Sequence, residues 1–214
     1  MIGRRVWLGA VVASPAMAQQ FLYDPEPPAG SAFLRFVNAG PAALTLRPDF
    51  DVARTMTPEA RVSPYVVVER VAGRALAVDG TAITLAPGSF NTLIATPAGL
   101  RLVVDQAEFN QLRARLAFYN ATADCADATL VLAPGGQAVF QGLAPGEGRS
   151  RAVNPAAARL RASCAAGEAA GTAAVAPEFA LEGLVAGGMY SIWLMRPAGP
   201  PLGFMTRDTT ERRR

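Results

Sequence analysis

The sequence predicts an all-β protein: two similar small antiparallel β-sandwich domains in tandem, behind a cleaved signal peptide. Three observations predict it. The apolar runs are short and are separated by turn chemistry at Gly40-Pro41, Ser63-Pro64, Asp79-Gly80 and Pro87-Gly88. The 214 residues include 20 Gly and 17 Pro, a heavy load of strand and helix punctuation. One layout then occurs twice: Ser31-Ala-Phe-Leu-Arg-Phe-Val-Asn-Ala39 reappears as Arg113-Ala-Arg-Leu-Ala-Phe-Tyr-Asn-Ala121.

Residues 1–18 read as a signal peptide. Met1 to Arg5 is positive, Val6 to Val12 is largely apolar, and Ala16-Met17-Ala18 is an A-x-A cleavage pattern. The apolar run is far short of the roughly 20 residues that span a bilayer. Gly3-Arg4-Arg5-Val6 also has a twin-arginine look, so the export route stays open. Residues 19–30 form a Pro-rich strap, Gln20-Phe-Leu-Tyr-Asp-Pro-Glu-Pro-Pro-Ala-Gly30, stiffened toward extended backbone. It either contacts a partner or covers one open end of the first sandwich through Phe21 and Tyr23.

The first sandwich is placed at 31–107, with strands at Ala32–Val37, Ala43–Leu46, Tyr65–Glu69, Ala75–Val78, Thr81–Leu85, Phe90–Thr96 and Leu100–Val104. Asp79-Gly80 between two apolar runs predicts a two-residue hairpin. A helical turn over Asp105–Leu112 marks the boundary. The second sandwich, 108–208, has strands at Arg115–Asn120, Ala128–Leu132, Ala138–Gln141, Ala158–Ala162, Phe179–Gly183, Met189–Met195 and Leu202–Thr206. Phe90 aligns with Tyr190 across the copies. Residues 209–214 are a basic tail.

Charge points away from nucleic acid. The formal charge is +3, and losing Arg4 and Arg5 with the signal takes it to +1. Glu211-Arg212-Arg213-Arg214 carries what remains, so no basic face is implied. The chain has no His, which excludes Ser-His-Asp triads, His-based zinc sites and imidazole general bases. No metal site and no cofactor are expected. The two cysteines, Cys125 and Cys164, fall in the second copy and should pair in an exported protein.

Candidate chemistry is sparse. Ser89 and Ser191 occupy related strand positions, but neither has a visible base. Asp49 with Asp51, and Asp105 with Glu108, are short-range acidic pairs of the kind that usually line loops. Met189, Met195 and Met205 suggest a soft copper site or, more simply, core packing. Asn120-Ala-Thr122 matches a glycosylation acceptor.

Two segments carry a resemblance. Leu22-Tyr-Asp-Pro-Glu-Pro-Pro-Ala-Gly-Ser-Ala-Phe-Leu-Arg-Phe-Val-Asn-Ala39 and Gln111-Leu-Arg-Ala-Arg-Leu-Ala-Phe-Tyr-Asn-Ala121 resemble the alginate biosynthesis protein AlgF family. The resemblance implies a periplasmic protein in the O-acetylation of alginate, a polyuronate, or of a related exopolysaccharide. It implies a non-catalytic two-domain adaptor beside the acetyltransferase proteins of that machinery. An acidic polysaccharide and peripheral contact with an inner-membrane complex are compatible with that role, and nucleic acid is not. Tyr23, Pro25, Phe33, Arg35 and Asn38 are the partner-binding candidates; Arg35 and Asn38 equally suit organising the end of the first strand. Two other classes remain: an acetyl relay through Ser89 or Ser191, and a polysaccharide-binding module with Tyr65 or Trp193 as its platform.

Overall fold

The computed structural model describes residues 27–105, 110–164 and 174–211. The segment expected to be a signal peptide, most of the expected strap and the final arginines lie outside these residues, as does the core of the expected boundary turn (106–109). Every regular element described is a β-strand.

The first half contains β1 (Ala32–Asn38), β2 (Leu44–Leu46), β3 (Arg54–Met56), β4 (Val66–Val68), β5 (Leu76–Val78), β6 (Thr81–Ile83), β7 (Phe90–Thr96) and β8 (Gly99–Asp105). A four-stranded sheet runs in the order β4-β1-β7-β8. The hairpins β2–β3 and β5–β6 pack over one face of it, burying Leu34, Phe36, Leu46, Met56, Leu76 and Val78. Asp79 and Gly80 both take positive φ, 46° and 77°, the two-residue turn that an Asp-Gly pair favours.

The second half contains β9 (Ala114–Asn120), β10 (Ala128–Ala133), β11 (Ala138–Leu143), β12 (Gly148–Val153), β13 (Ala158–Cys164), β14 (Ala174–Val175), β15 (Phe179–Leu181), β16 (Met189–Met195) and β17 (Leu202–Arg207). One sheet runs β12-β9-β16-β17; the other runs β11-β10-β13-β14, with β15 also on β13. Between them sit Leu116, Phe118, Leu130, Leu143, Leu160, Ile192 and Leu194. Cys125 and Cys164 are joined as expected, their Cα atoms 5.5 Å apart.

The predicted fold class holds, with one difference in detail. The sheets are not wholly antiparallel: β1 runs parallel to β7, and β9 runs parallel to β16. Each such pair is separated in sequence by strands of the opposite layer and by one antiparallel edge strand of its own sheet, β4 or β12, so the chain re-enters the sheet in its original direction. Three strands escaped the sequence reading. β12, Gly-Arg-Ser-Arg-Ala-Val, is too polar to read as a strand, yet it forms a six-residue ladder on β9. β3 and β14 are two or three residues long and depend on their partners.

The ladders also correct the alignment of the two copies. Phe33 faces Phe90, and Arg115, 82 positions after Phe33, faces Met189. Phe90 therefore corresponds to Met189, 99 positions on, and not to Tyr190. Thr92 then matches Ser191, Ile94 matches Trp193, and Arg35 matches Ala117. Asp105 faces Phe90 across a ladder, and the Asp208 amide donates to the carbonyl of Met189 (2.9 Å), so the two aspartates correspond as well.

The two four-stranded sheets lie face to face. Strand alternation sends Leu34 and Phe36 of β1 into the first core, and sends Arg35 and Val37 out toward the second half. Val37, Ala39, Ile94 and Val103 meet Ala117, Tyr119, Trp193 and Met195 in a third apolar cluster. Both faces of the central strands are thus buried, which explains their near-continuous apolar sequences. Corresponding rims touch on both sides. An added Cβ at Gly148 on β12 would come 3.4 Å from Val103 on β8, and Tyr65, just before β4, bridges Thr210, just after β17.

Candidate functional site at the seam between the sheets

The centre of this seam is polar. Arg35 is 1 % exposed. Its Nε donates to Thr92 Oγ1 (2.9 Å), its Nη1 to Asp208 Oδ1 (2.7 Å) and its Nη2 to Ser191 Oγ (3.0 Å). Each hydroxyl passes the interaction on: Thr92 donates to Asp105 Oδ2 and Ser191 to Asp208 Oδ2, both at 2.8 Å. Asp105 accepts two further hydroxyls, from Tyr65 (2.8 Å) and Tyr119 (2.7 Å). Arg115 Nη1 lies 3.7 Å from Asp208 Oδ2. Two arginines therefore balance two aspartates inside the protein.

Three aromatic rings enclose the guanidinium. The Arg35 carbon Cζ is 4.6 Å from the centroid of Tyr65, 4.8 Å from that of Trp193 and 5.1 Å from that of Tyr119. Arginine suits this place better than lysine, because its planar fork can serve three acceptors at once while its faces lie against rings. Burying such charges is costly, and only a fully hydrogen-bonded arrangement offsets the desolvation.

The surroundings move the titrations. Burial opposes the charge on Arg35, but Tyr119, Asp208, Tyr65 and Asp105 outweigh it and hold the guanidinium above its usual range. Tyr119 is pushed up to about 12, first by burial and then by Asp105, against the pull of Arg35. Burial likewise raises Tyr65 well above the ordinary tyrosine range. A raised tyrosine favours the fold fully below the unfolded value near 10, and that contribution is lost as the pH climbs through the folded value. Through these tyrosines stability should decline on the alkaline side, from about pH 10 upward. In a tyrosinate absorbance titration, Tyr65 and Tyr119 should ionise together with unfolding. Simple ionisation of all four tyrosines near pH 10, with the fold intact, would contradict the seam as described.

At one rim of the seam, Phe33 and Phe90 stack with centroids 4.2 Å apart, and Tyr65 meets Phe90 edge-on at 5.2 Å. Phe33 and Phe90 are half-buried, so this rim presents aromatic surface to solvent. Beyond the opposite end lies a cavity of about 70 Å³ lined by Thr96, Arg101, Thr122 and Pro145. It is far smaller than the roughly 300 Å³ at which small-molecule clefts begin.

A family model described as alginate O-acetyl transferase AlgF matches residues 6–176. The chain belongs to that family. No curated protein matches it. AlgF membership implies a part in alginate O-acetylation, and the Cys125–Cys164 bond fits an oxidising compartment. The AlgF match includes Arg35, Thr92, Asp105, Arg115 and Tyr119; Ser191 and Asp208 lie beyond its end.

Within this AlgF chain the sequence candidates separate. Tyr23 and Pro25 lie outside the described residues. Phe33 is at the aromatic rim and Arg35 is at the seam centre. Asn38 closes the end of β1: its Nδ2 donates to the Ala42 carbonyl (2.7 Å) and its Oδ1 accepts from the Gly40 amide (2.9 Å). Asn120 does the same for β9, with Nδ2 donating to the carbonyls of Cys125 (2.7 Å) and Leu143 (2.9 Å). Asn120 is fully buried, so the glycosylation match carries no accessible acceptor.

The remaining readings also meet the geometry. Tyr65 and Trp193 are buried and form no exposed platform. Met195 sits in the seam cluster while Met205 packs on the second core, so the three methionines do not converge. Asp49 Oδ1 accepts from the Ala77 amide and Asp51 pairs with Arg54, each in a loop role. Ser89 Oγ donates to the Ala86 carbonyl (2.6 Å) and accepts from Asn91 Nδ2 (2.7 Å). Sequence reasoning missed Thr92, Asp105, Tyr119 and Asp208 as members of one network. The available signal was the repeated hydroxyl-then-aspartate pattern, Thr92 with Asp105 and Ser191 with Asp208, obscured by a one-residue misalignment of the copies.

Proposed function

We propose that this chain is a non-catalytic periplasmic adaptor in the O-acetylation of alginate or a related exopolysaccharide, linking the acetyltransferase proteins of that machinery. The observation that carries the reading is the placement of Ser191. Its hydroxyl is fully buried, holding Asp208 on one side and Arg35 on the other, inside a seam between two sheets. A group that relays acetyl must reach a donor and an acceptor, and this one is used to join two halves of a protein. Ser89 reaches the surface, but its contacts are a carbonyl and an amide, and neither is a general base.

The contact surface in this reading is the Phe33–Phe90 rim together with Tyr23 and Pro25 of the strap. Arg35 lies behind that rim at the seam centre, and Asn38 secures the far end of β1. Half-buried aromatic side chains beside a rigid sheet are what partner proteins commonly use as anchors. The test is a pull-down from an exopolysaccharide-producing cell, with polymer acetylation scored in parallel. The wild-type chain should recover acetyltransferase subunits, and Phe33→Ala should recover at least about tenfold less, the cost of one lost anchor. Ser89→Ala should leave polymer acetylation unchanged. Failure to recover any subunit under conditions that preserve the complex would reject the adaptor. An acetyl group found covalently on Ser89 would replace it with the relay.

A further inference from the structure

The hydroxyl–aspartate pairs of the seam match between the halves, whereas the cations and rings around them do not. Thr92 and Ser191 occupy equivalent ladder positions, and each donates to the equivalent aspartate, Asp105 or Asp208, at 2.8 Å. Arg35 has Ala117 as its counterpart on β9, just as Arg115 has Phe33 on β1. A single guanidinium therefore lies between two hydroxyl–carboxylate pairs, one from each half. It donates to Thr92 of its own sheet, and to Ser191 and Asp208 of the facing sheet. An arginine at both positions would add a third cation to Arg35 and Arg115 at one buried centre. An alanine at both would leave the two aspartates without the cation between them. Only the unequal pair satisfies all the groups.

We propose that Arg35 is a one-sided clamp that makes the two halves a single rigid body, with Thr92–Asp105 and Ser191–Asp208 as its jaws. Domains within a chain generally move relative to each other unless the interface between them is large and apolar. Here an apolar cluster also spans the seam, and the directional polar centre adds a set angle to it, because hydrogen bonds from a planar fork fix angle as well as distance. The clamp holds the Phe33–Phe90 rim at a set orientation to every surface of the second half. It deepens the adaptor reading, for which Arg35 is a positioning residue that touches no partner itself.

The experiment measures relative orientation in the full chain by backbone residual dipolar couplings. Amides of β1, β7 and β8 and amides of β9, β16 and β17 should fit one alignment tensor in the wild type. In Arg35→Ala, and in the milder Asp208→Asn, the common tensor should be lost while shifts away from the seam stay in place. A common tensor in the variants overturns the clamp; where Arg35→Ala does not fold, Asp208→Asn alone decides. Polymer acetylation measured with the same variants separates the two ideas. Split tensors with acetylation unchanged uphold the clamp and overturn its use in the adaptor.

Discussion

Arg35→Met should lower the unfolding free energy by about 3–5 kcal/mol, the range for removing one partner of a buried ion pair. The variant keeps most of the side-chain volume, so the loss comes from the polar groups left behind. Asp208 would retain Ser191 and the more distant Arg115 (3.7 Å), and Thr92 and Ser191 would each lose a donor. Urea unfolding followed by tryptophan fluorescence is a direct measure, because Trp193 stands 4.8 Å from the guanidinium. Arg35→Lys should recover only part of the loss, since an ammonium restores charge without the three-way fork. By contrast, Arg159→Ala should cost no more than about 1 kcal/mol, because its pairing with Glu178 is largely solvated. Equal effects at Arg35 and Arg159 would contradict the account of the seam.

The second large effect belongs to the disulfide. Opening the 39-residue loop between Cys125 and Cys164 by a double Cys→Ser change should cost about 4 kcal/mol in a chain-entropy account. The bond ties the turn after β9 to the end of β13, where Cys164 lies opposite Ala128 of β10. It therefore secures the five-stranded sheet against the sheet that forms the seam. Reductant should lower the wild-type denaturant midpoint to that of the double variant and leave the double variant unaffected. An unchanged wild-type midpoint with free thiols demonstrated would reject the prediction.

The legible and illegible parts of this protein differ for physical reasons. β1 and β9 were readable because both of their faces are buried, which leaves seven-residue runs with five apolar residues in each. The Asp79-Gly80 turn was readable because few residue pairs accept two positive φ angles in succession. β12 was not readable: Arg149 and Arg151 turn to the open edge of the sandwich and donate to β11 carbonyls at Gln141, Gly142 and Val139. Its strand character comes from β9, with no apolar pattern of its own. Tyr65 and Trp193, plausible as exposed rings in isolated strands, are covered because a second sheet lies on them.

Arg35 shows where local reading stops. A lone arginine within Ala-Phe-Leu-Arg-Phe-Val is visibly anomalous, but its carboxylate partner is 173 positions away. Nothing within a strand-length window encodes that pairing. Sequence alone determined the class of fold, the duplication, the cysteine pair and the family, because periodicity, turn chemistry and motif order are local properties. Only the tertiary structure decided that the two halves meet face to face and that Ser191 is sealed inside rather than offered to substrate. The reason is that both facts depend on which outward faces of two separate sheets come together, and a buried charge finds its partner only when they do.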